Sequence, residues 1–301
     1  MANKKIHHGR TMSRDALAIN IVGYLLIGIF GLLCVIPFYL IIVASFTSEA
    51  SLIRNGYPLI PTDFSIQSYL LCLKNPLSIL KAYGTTIGVT MAGTLISVFI
   101  ATMTGYVLSR KDFPWRNQLS FFFFFTTLFS GGLVPWYMLC VRYLNFKNSY
   151  LGVLLPLMFS VWNMIIAKSF MAGIPSAISE SAKMDGANDL VIFIRLILPL
   201  SKPLLATLSL FSALAYWNDW YNCMLFMSTG GTWNLQYTLQ NILNSSEALK
   251  RIAAMTGMQV GQVPTEGLKL AMTVIATGPI ILLYPFLQKY FVKGMTIGAV
   301  K

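Results

Sequence analysis

The chain has 301 residues, of which 56% are hydrophobic and only 11% charged, and its mean hydropathy is +0.66. Soluble domains carry about 25% charged residues, so a water-soluble globular fold is excluded and the class is integral membrane. A net charge of +12 does not mark a nucleic-acid binder: the basic residues form no dense patch and lie in the gaps between apolar runs, where such residues set topology.

Residues 1–16 form a basic tail, "KKIHHGRTMSRD" at its centre. His7 and His8 belong to that tail and have no carboxylate or cysteine cluster beside them. The start resembles a signal peptide, but a secretory apolar core runs about 7–15 residues and this one is far longer, so an uncleaved anchor is expected. A helix needs about 20 apolar residues to cross a bilayer. Six segments qualify, at 17–46, 84–108, 119–141, 150–171, 204–227 and 268–291. Pro37 is placed to kink the first, and Pro279 and Pro285 to bend the last, as bundled helices tolerate. Between spans one and two, residues 47–83 carry Pro58, Pro61, Pro76 and several charges and read as an ordered loop. Phe121 to Phe125 read as lipid-facing or packed span surface, and "NLQYTLQNIL" in the loop 228–267 as a surface helix. Cys34, Cys72, Cys140 and Cys223 lack metal-ligand or CxxC spacing, which points to neither a disulfide framework nor a metal site. The expected fold class is thus all-α integral membrane with six transmembrane helices.

Placing the N-terminus inside puts fourteen of the 22 lysines and arginines on the cytoplasmic side, which favours N-in and C-in. The connection between spans four and five is then cytoplasmic. In "GIPSAISESAKMDGAND", Pro175 suits an early helical position and Ser176 or Ser179 a cap. Gly186 suits the left-handed residue that ends a helix, and Asn188 or Asp189 the cap of a second helix starting at Leu190. A short helix bearing Glu180, Lys183 and Asp185 between two spans makes a docking knob.

Its detailed pattern resembles the EAA loop of ABC importer permeases. Glu180-Ser181-Ala182 is followed by three residues, the last of them Asp185, then Gly186, and nine residues later by Leu196-Ile197-Leu198-Pro199. Ser181 and Leu196 are mild departures, standing where the family has alanine and isoleucine. The tail "FVKGMTIGAVK", "AYWNDWYN" in span five and "SGGLVPWYMLCVRYLNFKNSYLGVLLP" around spans three and four are similar to carbohydrate-uptake permeases, in the branch for oligosaccharides and polysaccharide fragments. The resemblance implies a type I ABC importer permease fold: a cytoplasmic tail 1–16, a permease domain 17–291 with its coupling loop at 174–203, and a cytoplasmic tail 292–301. It further implies a sugar substrate, a second permease subunit forming a heterodimer, an external solute-binding protein and two cytoplasmic ATPases that use ATP and magnesium. Glu180, Ser181, Ala182, Asp185, Gly186, Leu198 and Pro199 would carry the coupling. No GxxxxGK[ST] pattern occurs here, so ATP hydrolysis falls to another subunit and the chain is not itself an enzyme.

Within span five, helical spacing aligns Ser209, Ser212, Tyr216, Asp219 and Cys223, with Asn218 and Asn222 on a neighbouring face. An ionisable residue inside a span faces a bundle interior or a wet cavity. Sugars are held by planar polar groups and aromatic faces, so Tyr216, Trp217, Asn218, Asp219, Trp220 and Asn222 are the candidate pathway residues. Two readings stand beside that one: an interfacial aromatic belt, and pairing of Asp219 with the partner permease. Asn163 in span four reads as an interhelical hydrogen bonder. Import of amino acids, peptides or phosphate is the alternative within the class, and an ion-coupled secondary transporter the rival outside it. A membrane enzyme would need a catalytic constellation that the sequence does not offer. The topology is checked with reporters: a fusion at Ser181 is expected to read cytoplasmic and one within 228–267 external, and the reverse pattern would overturn the assigned orientation.

Overall fold

The computed structural model describes residues 14–61, 63–227, 233–256 and 266–299. The tail before residue 14, parts of the 228–267 loop and the last two residues lie outside them. Among the described residues the protein is helical, with no β-strand and one isolated antiparallel bridge, Thr47 to Phe64. The chain divides into two compact units, residues 1–71 with 261–274 and residues 72–260 with 275–301.

The first unit opens with α1 (Arg14–Ser45), which continues through Pro37. Its side chains are exposed over most of Ile19 to Tyr39, as suits a helix whose solvent is lipid. The following loop is ordered, as its prolines and charges lead one to expect. Phe46 stacks on Phe64 and Tyr69, with ring centroids 5.7 and 4.9 Å apart. Ser48 caps α2 (Glu49–Asn55) through its hydroxyl, and α3 (Gln67–Cys72) follows. The Glu49 carboxylate accepts the backbone N–H groups of Glu266 and Gly267 at 3.0 and 2.8 Å, satisfying donors that the first turn of a helix leaves free.

In the second unit, α4 (Pro76–Ser109) begins eight residues before the expected span, with Pro76 at its first turn. After it come α5 (Arg116–Leu128), α6 (Leu133–Met138) running into a π-turn at Leu139–Tyr143, and α7 (Leu151–Leu154) running into a 3-10 turn at Leu155–Leu157. Then follow α8 (Val161–Met171), α9 (Ser176–Met184), α10 (Asp189–Ile192), a π-turn at Phe193–Ile197 and α11 (Leu198–Leu200). The rest is α12 (Lys202–Trp217), α13 (Tyr221–Phe226), α14 (Leu235–Thr256) and α15 (Glu266–Ala299), the last passing through both units. Among the described residues, Ile19–Ser45 and Pro76–Ser109 are each long and apolar enough to cross a membrane, and counting each of three bent helix pairs as one span brings the number to as many as five. The expected span 268–291 falls within α15, whose side chains from residue 283 onward lie outside the described set.

Three expected spans are therefore not single rods. Span three breaks between Leu128 and Leu133 with a bend of 112°, at Gly131-Gly132, where Gly132 has φ +88°. Span four bends by 45° between Leu157 and Val161, just after Pro156. The helix expected over 204–227 ends at Trp217 and resumes at Tyr221. The single stripe expected through Asp219 and Cys223 is thereby corrected: Asp219 lies in a turn, not on a helix face.

The core is built on α4. Val98, Ala101 and Tyr106 pack with Ala167 and Met171 of α8 and with Leu204 and Leu208 of α12. Phe193 stacks on Tyr106 at 5.4 Å and meets Phe99 edge-on. Helices in lipid associate by close packing and small residues, and α4 shows it at two places. A Cβ at Gly93 would collide with the Tyr216 ring, and one at Gly105 would lie 2.5 Å from Ala167 Cβ and 2.8 Å from Lys168 N. A Cβ at Gly88, in contrast, meets nothing within 4 Å. Gly105→Ala is expected to lower the thermal midpoint of the purified protein in detergent, at a cost of about 1–3 kcal/mol from overpacking. Gly88→Ala should leave it unchanged or raise it, by up to about 1 kcal/mol of recovered helix propensity. Equal effects of the two would refute the tight α4–α8 contact.

Candidate functional site

The loop that joins α8 to α12 is organised from its backbone outward. Pro175, with ψ 129°, stands just before α9 and Ser176 is its first residue. No side chain caps that end, which corrects the expected serine cap. At the other end Gly186 has φ +81°. Its N–H donates to Lys183 O at 3.0 Å and that of Ala187 donates to Ala182 O at 3.0 Å, the pair of bonds that defines a Schellman motif. Asn188 Oδ1 accepts from Val191 N at 2.8 Å and caps the next helix, as expected. The π-turn that follows, with Leu198 N bonded to Phe193 O, directly precedes Pro199. In an unbroken α-helix that ring would press on the carbonyl four residues back.

Glu180, Ser181, Asp185, Gly186 and Pro199 are exposed, while Ala182, Leu196 and Leu198 pack against the core beside Ile174 and Ala187. Ser181, Ala182 and Asp185 line a groove with Ala177, Ile178 and Leu196. Glu180 and Lys183 line a separate cleft of about 550 Å³ that reaches Tyr106 and Arg110.

Arg110, the residue after α4, fixes this loop from outside, and sequence reading missed it. Its guanidinium grips both oxygens of Asp112 and lies 2.5 Å from Asp189 Oδ1. It also stands 5.8 Å from the Tyr106 ring centroid. Lys183 completes the network, 3.4 Å from Asp112 and 3.6 Å from Asp189. Hydrogen bonding to Arg110 is the main cause that holds both carboxyls below the usual range, and bonding to Asp112 raises the guanidinium further. The only sequence signal was a basic pair, Arg110-Lys111, two residues from an acid.

Among the residues expected to line the pathway, Tyr216, Trp217, Asp219 and Asn222 are buried. Each has a partner inside the chain. Tyr216 donates to Leu154 O at 2.8 Å and Trp217 Nε1 to Ala276 O at 3.2 Å. The Asp219 carboxylate accepts from the Asn222 backbone at 3.1 Å and from its side-chain amide at 3.2 Å, so it shapes the turn into α13. Asn234 donates to the Asp219 carbonyl. Asn218 and Trp220 are the exposed pair; Asn218 accepts from Gln236 Nε2 at 3.3 Å.

Comparison with known proteins gives a consistent picture. The family model described as "binding-protein-dependent transport system inner membrane component" matches residues 84–297. The chain is 40% identical to the polygalacturonan/rhamnogalacturonan transport system permease protein YtcP of Bacillus subtilis (strain 168), over 93% of this chain and 96% of that one. It is 37% identical to protein LplC of the same organism, over 94% of each. Among solved structures it resembles a bacterial ABC transporter involved in import of the acidic polysaccharide alginate. That match has TM-score 0.79 and 28% identity, and covers 93% of this chain and 99% of the other.

The ion network yields a graded prediction. Removing Arg110 by Arg110→Ala is expected to speed amide hydrogen exchange across residues 182–192. Lys183→Ala should do so less, because a half-exposed pair contributes under about 1 kcal/mol. Both carboxyls are depressed in the folded protein, so their contribution is present above the unfolded value near 3.9 and is lost as pH falls through the lower folded values. Exchange corrected for its intrinsic rate should thus be flat from neutral pH down to about pH 5 and rise only under stronger acid. A larger effect from Lys183→Ala would contradict the ranking.

Proposed function

The chain belongs to the family of binding-protein-dependent transport system inner membrane components, and on that premise we propose that it is the permease subunit of an importer for oligosaccharides cut from acidic plant-type polysaccharides. It is a multi-pass inner-membrane transporter subunit, not an enzyme. The sugar assignment is supported by the substrates in the name of one relative, polygalacturonan and rhamnogalacturonan, and by the alginate importer the chain resembles. In this reading six spans cross the membrane with both termini cytoplasmic. A second permease completes the pathway, a binding protein delivers solute outside, and two ATPases with ATP and magnesium drive the cycle inside.

The observation that carries the coupling role is the construction of the loop around α9. A docking element must be stiff to transmit motion, and α9 is closed by a Schellman turn at Gly186 and held by Arg110 and Lys183 through Asp189. Glu180, Ser181 and Asp185 stand exposed on it for an ATPase to grip, with Ala182, Leu198 and Pro199 fixing it to the core or the bend. Glu180 suits a charge-assisted bond to an arginine of that partner. At the turn after α12, Asn218 and Trp220 face the solute, whereas Tyr216, Trp217, Asp219 and Asn222 hold the turn that presents them.

Gly186→Val tests the coupling role. A β-branched residue in the left-handed region costs at least about 1–2 kcal/mol, enough to move the loop's equilibrium about tenfold. Binding-protein-dependent uptake should fall by about that factor or more while the permease remains in the membrane. Wild-type uptake by Gly186→Val would remove the Schellman turn from the mechanism.

A further inference from the structure

Two residues that weaken a helix stand side by side in the interior of α15, Gly278 and Pro279. Pro279 has no N–H, so the carbonyl four residues back, that of Ile275, loses its partner within the helix. Another helix supplies the donor: the Tyr83 hydroxyl of α4 donates to Ile275 O. The next carbonyl, Ala276 O, accepts from Trp217 Nε1 at 3.2 Å, at the end of α12. All of these groups belong to the second unit.

A proline in a spanning helix has a plain explanation, since neighbours in a bundle satisfy the group it frees. Two observations exceed it. The first is the glycine. Glycine weakens a helix relative to alanine, and packing does not require one here: a Cβ at Gly278 would meet nothing within 4 Å, whereas those at Gly93 and Gly105 would collide. A flexible residue is thus paired with a missing hydrogen bond. The second is the origin of the donors. A serine or threonine of α15 itself would travel with the helix, but Tyr83 and Trp217 come from two other elements and stay behind when it moves. The form of the turn around residues 275–279 is therefore set by contacts that a shift of α4 or α12 against α15 can break. Trp217 also ends the helix just before the turn that presents Asn218 and Trp220, so one bond joins that turn to the weak point of α15.

We infer that Gly278-Pro279 is a hinge at which α15 bends during the transport cycle, and that Tyr83 is the positioning residue that closes it by bonding the Ile275 carbonyl. The inference goes beyond the sugar-importer reading and holds whichever solute is carried. It requires only that the spans move as ATP is hydrolysed by the partner subunits.

The test is a double-mutant cycle on the complete complex, with second permease, ATPases and binding protein, in lipid nanodiscs with trigalacturonate as the solute. Pro279→Ala restores an N–H to Ile275 O, and bending must then break that bond. It should leave the thermal midpoint unchanged or raise it, yet lower the kcat of ATP hydrolysis about two- to tenfold, the factor that one retained hydrogen bond sets. The KM for ATP should not change. A proline that is merely tolerated would give the same or a higher midpoint without the slower turnover. Tyr83→Phe keeps the ring and removes the donor. It should lower the midpoint of the otherwise unaltered complex and have little effect in the Pro279→Ala background, where the restored N–H already serves the carbonyl. Turnover by Pro279→Ala equal to that of the unaltered complex overturns the hinge. Midpoint changes from the two substitutions that simply add overturn the role of Tyr83.

Discussion

Everything in the larger unit depends on how closely two helices approach α4. At Gly93 a tyrosine ring occupies the place of a side chain, and at Gly105 the backbone of α8 does. Lipid tails are as apolar as leucine, so burial does not drive helices together inside a membrane, and close packing must. These two absences of a side chain let α8 and α12 lie against α4. They place the end of α4 beside the loop those two helices carry, within reach of Arg110.

A second constraint is that no peptide group can be left unpaired in hydrocarbon. Each interruption of a long apolar segment is accordingly met by a local partner. Ser160 serves the start of α8, Asp219 serves the turn into α13, and Thr86 Oγ1 accepts the N–H of Leu235 at 2.8 Å. The prolines obey the same logic. Pro156 lies in a 3-10 turn, Pro199 after a π-turn and Pro203 in a first turn, each where a missing donor or a bulky ring does least harm. Polar side chains thus gather at the breaks, which is why the turn at Asp219 lies where a helix is interrupted.

What the sequence made legible was what is local. Gly186 and Asn188 were readable because a left-handed residue and a cap act within four positions, and the helix at α14 because its pattern is continuous, although its first turns, expected at the surface, are buried or half-buried. The broad positions of the apolar segments followed from hydropathy alone. The interruptions were harder. Gly131-Gly132 and Pro135 were visible, but a hydropathy window averages over them. Asp219 stood out as an acid within an apolar segment, yet its carboxylate is bonded by the neighbouring Asn222 and its backbone carbonyl by the later Asn234, and no spacing rule announces a turn that bonds to itself. The Arg110 network was out of reach for a plainer reason: Asp112 and Lys183 are 71 positions apart, and only the packing of α4 on α8 brings them together.

The partial exposure of that network ties the loop to the ionic make-up of its surroundings. At about 0.15 M salt the screening length is about 8 Å, well beyond every separation in the cluster, and near 1 M it shrinks to about 3 Å. Lys183, at 3.4 and 3.6 Å from its carboxylates, then stands at the edge of its own influence. Arg110 is hydrogen-bonded at both forks and less exposed, at 19% against 44%, and keeps its hold. A rise in salt around the loop therefore slackens it in a fixed order, the lysine side first and the arginine side last.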